Sequence, residues 1–120
     1  MTKKILLVDD DEMVLIAVAD LLRSQGYTVQ TAANGERALE LAEVEQFDLC
    51  VLDTLMPGIT GRELARSLRS IERYSKLPII MLSARPSNDE GPEEDGKQPL
   101  VLAKPIRPER LIAMVESVLL

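Results

Sequence analysis

Residues 49–61 read LCVLDTLMPGITG. Four apolar residues run without a polar interruption, a carboxylate follows at Asp53, and the glycines Gly58 and Gly61 then mark a loop. A short continuous apolar run of this kind suits a parallel strand buried on both faces, because a half-exposed strand would alternate. Working outward, four more apolar runs lie at Ile5–Val8, Tyr27–Ala32, Ile79–Leu82 and Leu100–Ala103. Helical spacing fills most of the intervals. Val14, Val18, Leu21 and Leu22 share one face, as do Ala38, Leu39 and Ala42, then Leu64, Ala65, Leu68 and Ile71, and finally Leu111, Val115, Val118 and Leu119. Gly26 is placed to close the first helix and Pro108 to open the last. Alternating strands and helices imply an α/β fold whose parallel sheet carries helices on both faces.

One interval breaks the pattern. Ser87–Gln98 reads SNDEGPEEDGKQ, with five acids, two glycines, one proline and no large apolar residue. It has no stripe to bury, so a fourth helix is expected to be missing or degenerate over residues 86–98.

Composition narrows the function. The 120 residues fit one domain, read here as 1–120 with no linker. Aromatics make up only 2% of the chain and the net charge is −6, which disfavours both base stacking and a phosphate backbone, so no nucleic-acid partner is expected. No apolar run approaches a membrane span and the start is too short for a signal peptide, so no membrane partner is expected. The single cysteine, Cys50, excludes an internal disulfide and reads as a small buried strand residue in a cytoplasmic protein. The absence of histidine removes Ser-His catalysis, His-based metal sites and an internal phosphohistidine.

The polar residues of interest each follow an apolar run: Asp9, Asp10 and Asp11 after the first, Asp53 after the third, Ser83 after the fourth and Lys104 after the fifth. In an open parallel sheet these ends share the edge where α/β proteins bind ligands. Clustered carboxylates raise one another's pKa unless a cation intervenes, and oxygen-only donors select Mg²⁺, with Mn²⁺ able to substitute. A lysine and a hydroxyl beside them could hold phosphoryl oxygens, and a carboxylate can accept a phosphoryl group. Singly, each residue has a plainer reading. Asp10 or Asp11 could cap the first helix, Ser83 could be a turn residue and Lys104 a surface charge.

Together, ILLVDDDE (5–12), DTLMPGITG (53–61), PIIMLSA (78–84) and AKP (103–105) resemble the receiver domain of two-component response regulators over nearly the whole chain. The resemblance implies a flavodoxin-like five-stranded sheet of order 2-1-3-4-5. It implies that Asp53 is the phosphoacceptor, that Asp9, Asp10, Asp53 and the Leu55 backbone carbonyl hold Mg²⁺, that Ser83 and Lys104 contact the phosphoryl group, and that Lys104–Pro105 is a cis peptide. Asp11 and Glu12 are read as charges of the first helical turn. The implied partners are a histidine kinase or histidine phosphotransfer domain as donor, and an output domain or target protein.

Two departures stand out. Val101 occupies the place of the usual aromatic switch residue, and the acidic stretch replaces the usual fourth helix. Both predict a modified readout, such as an order–disorder change over residues 85–99. Leu55 and Arg85, beside the site, lack a carboxylate or amide to orient water, which predicts slow self-dephosphorylation. Two other readings are a pseudo-receiver interaction module that is never phosphorylated, and a Mg²⁺-dependent phosphohydrolase, which typically carries a substrate-covering domain.

Overall fold

The computed structural model describes residues 2–84 and 100–119. Expectations for residues 86–98, for Arg85 and for a readout over 85–99 lie outside the described residues. In chain order the elements are β1 (Lys4–Val8), α1 (Glu12–Ser24), β2 (Thr28–Ala32), α2 (Gly35–Val44), β3 (Leu49–Asp53), α3 (Gly61–Arg69), a 3₁₀ turn (Glu72–Tyr74), β4 (Ile79–Ser83), β5 (Leu100–Ala103) and α4 (Pro108–Leu119). The strands form one parallel sheet of order β2-β1-β3-β4-β5. The predicted order and helices on both faces are therefore observed.

The strand alternation explains how two cores form from continuous apolar runs. In β1, Leu6 and Val8 point to one face, where they pack with Ala38, Leu41, Leu64 and Leu68 of α2 and α3. Ile5 and Leu7 point to the other and meet Val18, Leu22, Leu111 and Val115 of α1 and α4. A strand facing two helical layers needs apolar side chains at every position. β1 duly buries four successive residues, Ile5–Val8, to 1% exposure or less. At roughly 1.5–3 kcal/mol per fully buried aliphatic side chain, these central strands dominate the stabilisation.

Local signals set the helix ends. The Asp11 carboxylate accepts from the Met13 and Val14 N–H groups, at 2.9 and 3.4 Å, and caps α1. Asp11 is thus the cap rather than a first-turn charge, while Glu12 does lie in the first turn. Gly26 follows α1 with φ +95°, a conformation that favours glycine. Thr60 and Glu63 form a capping box on α3.

Ile71 falls outside α3, contrary to the spacing. After Arg69 the Ser70 N–H reaches both Arg66 and Ser67 carbonyls and the Ile71 N–H bonds the Leu68 carbonyl, so the coil tightens into 3₁₀ geometry. Ile71 still packs on the core from that turn.

Candidate functional site

The strand order reverses between β1 and β3. From β1 the chain proceeds to β2 on one side, and from β3 to β4 and β5 on the other. Connections leaving in opposite directions open a crevice at the carboxyl ends of the two strands. Asp9 immediately follows β1 and Asp53 ends β3. Asp9, Asp10 and Asp53 each offer a carboxylate oxygen within 4.8 Å of the others. Asp9 is fully buried, Asp53 nearly so, and Asp10 is exposed.

Lys104 enters from the end of β5. Its Nζ lies 3.1 Å from Asp9 Oδ2 and 3.2 Å from Asp53 Oδ1. The Lys104 N–H donates to the Ser83 carbonyl at 2.8 Å, which extends the β4–β5 ladder and fixes where the lysine stem begins. Lys104–Pro105 is a cis peptide, as the resemblance implied. Ser83 ends β4 and is fully buried. The four strand-end residues therefore meet on one edge, and Lys104 is a paired, largely covered cation rather than a loose surface charge.

The acids are held by backbone donors as well. Asp9 Oδ1 accepts from the Asp11 N–H at 2.9 Å, and Asp53 Oδ1 from the Leu55 N–H at 3.3 Å. One ammonium does not balance three carboxylates. Burial, then the neighbouring Asp9 charge, raises the Asp53 pKa, against the opposing pull of Lys104 and the Leu55 N–H. Partial burial alone would lower the Lys104 pKa. The hydrogen bond and charge of Asp9, with those of Asp53, outweigh it and leave Lys104 raised. The site therefore carries excess negative charge in a crevice of oxygen donors, which fits a hard divalent cation and no soft one.

The loop after β3 carries more than its sequence announced. Leu55 projects its side chain into solvent at 59% exposure, leaving its backbone as the part that bears on the site. Thr54 and Met56 are buried, and neither signals its role by composition. The Thr54 N–H and Oγ1 both donate to the Leu82 carbonyl, at 3.1 and 3.5 Å, which ties the loop to β4. Gly61 reads in sequence as a loop marker. It is instead the first residue of α3, and a Cβ there would press on the Asp53 carbonyl oxygen, on Thr54 Cα at 2.7 Å and on Leu52 Cδ1 at 2.8 Å. Val101 is partly buried against the core shared with α2 and α3.

Residues 5–116 match the family model of the response regulator receiver domain. The chain belongs to that family. Among its relatives, this receiver domain is 37% identical over 122 residues to the alkaline phosphatase synthesis transcriptional regulatory protein PhoP of Bacillus subtilis, covering 99% of the chain and 49% of the relative. It is 40% identical over 119 residues to the transcriptional regulatory protein AfsQ1 of Streptomyces coelicolor, covering 96% of the chain and 50% of the relative. The receiver domain thus spans about half the length of the curated relatives it matches. Among solved structures, the chemotaxis protein CheY4 of Vibrio cholerae superposes with TM-score 0.87 at 32% identity, covering 99% of this chain and 100% of that one. The receiver domain of the sensor histidine kinase PA1611 from Pseudomonas aeruginosa, solved with a magnesium ion coordinated in its active-site cleft, gives TM-score 0.85 at 29% identity, covering 99% and 98%. Among the described residues no helix is long and apolar enough to cross a membrane.

Proposed function

We propose that this receiver domain is a Mg²⁺-dependent phosphoacceptor that takes a phosphoryl group on Asp53 from a partner histidine kinase or histidine phosphotransfer domain. The observation that carries the reading is the buried Asp9–Asp53 pair bridged by Lys104 in a cluster with too much negative charge. Asp9, Asp10, Asp53 and the Leu55 carbonyl would hold the cation. When bound, the cation offsets the charge of the carboxylates and of the incoming phosphoryl oxygens. Asp53 supplies the attacking oxygen: a P–O bond forms at its carboxylate as the P–N bond to the donor imidazole breaks. Lys104 and Ser83 donate to the phosphoryl oxygens. The hydrogen bond from the Leu55 N–H keeps one Asp53 oxygen oriented, which supports the other as nucleophile.

The chain acts as a switch for protein–protein interactions rather than a turnover enzyme, catalysing its own phosphorylation and a slow dephosphorylation. The exposed apolar Leu55 side chain supports the slowness, because it offers no polar group to a hydrolytic water. An apolar groove of 740 Å³ beside Lys104, lined by Met13, Val14, Ala17, Leu21 and Ile106, supports a protein donor docking next to the site. Val101, partly buried and short, supports a readout that does not depend on an aromatic side chain changing its exposure.

Incubation with acetyl phosphate and Mg²⁺, read by intact-mass spectrometry, tests the assignment. The mass should rise by one phosphoryl group, the adduct should be labile to hydroxylamine, and Asp53→Asn should abolish it. No adduct under any Mg²⁺ concentration would instead identify a pseudo-receiver, and steady turnover of small phosphate esters a phosphohydrolase.

A further inference from the structure

The 54–60 loop has three anchors, and one is a contact with α2. Thr54 is tied to β4 through the Leu82 carbonyl, Met56 is buried in the core, and Ile59 packs its side chain where a Cβ on Gly35 would stand. A methyl group at position 35 would overlap Ile59 Cγ2, with Ile59 Cβ at 3.4 Å and Cδ1 at 3.8 Å. The obstructing atom sits on a branched carbon, so it moves only with χ1 or with the backbone. That backbone is itself held on its carboxyl side by the capping box of Thr60 and Glu63.

α2 is equally fixed. Asn34 Oδ1 accepts from the Arg37 N–H at 2.8 Å and sets the helix start. Two residues earlier, the Ala32 carbonyl accepts the Asp9 N–H at 3.2 Å. The β2–α2 connection therefore lies between the two halves of the site. The end of β2 holds the first acidic loop through Ala32 and Asp9, and the first residue of α2 meets the second through Ile59, whose backbone runs back to Leu55 and Asp53.

We propose that Gly35 is a positioning residue for the cation site: its missing side chain seats Ile59, and that seat fixes the 54–60 loop and with it the affinity for a divalent cation. The inference rests on the Mg²⁺ reading above for its affinity arm and on the loop alone for its second arm. Displacing groups that orient metal ligands typically costs 10–100-fold in affinity. Gly35→Ala should accordingly weaken Mg²⁺ binding about 10-fold by titration calorimetry on fully folded protein. Gly35→Ala combined with Ile59→Ala removes the overlap and puts the new methyl in the space that Ile59 Cγ2 vacates, so it should recover part of that loss, whereas Ile59→Ala alone leaves the seat empty.

In metal-free protein, hydrogen exchange at the Leu55 amide should speed up in Gly35→Ala and slow again in the double variant. A merely structural glycine would lower the urea midpoint and leave affinity and Leu55 exchange where they were in the folded protein; that result overturns the inference. If Gly35→Ala does not fold, Ile59→Ala alone decides: faster Leu55 exchange supports the seat and unchanged exchange refutes it. Failure of the wild-type protein to bind Mg²⁺ sinks the functional reading, whereas Leu55 exchange insensitive to both substitutions sinks this one.

Discussion

Replacing Asp53 by asparagine should make the metal-free protein more stable. At the 4.8 Å that bounds the carboxylate cluster and an effective dielectric of about 20, two unit negative charges repel by about 3.5 kcal/mol. Asp53 faces Asp9 across the buried crevice, whereas Asp10 is exposed and its charge is screened by water. The attraction of Asp53 to Lys104 at 3.2 Å returns about 5 kcal/mol on the same scale. The pairwise charges therefore come close to balancing, and the burial of the Asp53 carboxylate, the largest cause of its raised pKa, tips the total against the charged form. The asparagine retains an acceptor for the Leu55 N–H, and Lys104 keeps Asp9. The expected gain is about 1–2 kcal/mol, or about 4–8 °C in Tm for a chain of this length.

The pH dependence gives the sign a separate test. The folded-state pKa of Asp53 is raised above its unfolded value. Across that window the native wild type binds more protons than the unfolded chain, so its stability falls as pH rises from about 3.9 to the folded pKa. The variant lacks this loss. Its advantage should be complete near neutral pH and should close below pH of about 3.9. Urea unfolding with chelator present, followed by circular dichroism, measures both. Mg²⁺ at ten times its Kd should then stabilise the wild type by about 1.4 kcal/mol and the variant by less. A variant less stable than wild type at neutral pH, or a gap that persists unchanged in acid, would refute the charge argument.

Gly61→Ala sets helix propensity against packing: alanine gains at most about 1 kcal/mol in a helix, but its Cβ meets the Asp53 carbonyl oxygen and Thr54 Cα, backbone atoms that cannot rotate away. We expect a net loss of about 2 kcal/mol in urea, and a gain in stability would show that α3 is free to shift. Tyr74→Phe removes a buried hydroxyl that donates toward the Ala42 and Glu45 carbonyls at 2.8 and 2.7 Å. Because Arg73 also reaches Ala42, the loss in urea should stay near about 1 kcal/mol, and a neutral result would mean the carbonyls are otherwise served. Burial raises the Cys50 thiol pKa, so Ellman's reagent should label it only as fast as the protein unfolds; rapid labelling of the native state would contradict its placement. Leu55→Asn should shorten the lifetime of the Asp53 phosphoryl group in a filter-binding decay assay. A wild-type lifetime of seconds, or no change in the variant, would remove Leu55 as the cause of slow loss.

The parts of the structure legible in sequence are those governed by repetition. Ile5–Val8 announces a strand because a sheet covered on both faces leaves no position for a polar side chain, and Asp9 is conspicuous because it ends that run. The same rule exposes Asp53, Ser83 and Lys104, and the parallel order brings them together. What was not legible depends on contacts between elements. Nothing in the spacing says that Gly35 faces Ile59, that the Tyr74 hydroxyl reaches the end of α2, or that Gly61 abuts the Asp53 carbonyl. Ile71 misled for a related reason: it keeps the helical period through a turn that is no longer α-helical, since the core needs the side chain there whatever the backbone does.

The same division explains why such a site can respond to its ligands. β1 and β3 bury nearly every residue they contain, so the sheet can tolerate a few kcal/mol of unfavourable charge at its edge. That imbalance is where a response must originate, because a ligand shifts a conformational equilibrium only by its differential affinity for the two states. A site already neutral in its resting form would gain little from a cation. Here three carboxylates against one ammonium leave electrostatic energy to be released when positive charge arrives. On the proposed function, phosphoryl oxygens added at Asp53 would restore negative charge and draw again on Lys104 and the cation. On that reading, a response would travel outward through the residues joining the charged loops to the rest of the fold. Among these joints, the Gly35–Ile59 contact, the Thr54–Leu82 bonds and the Lys104–Ser83 bond lead away in three directions, toward α2, β4 and β5.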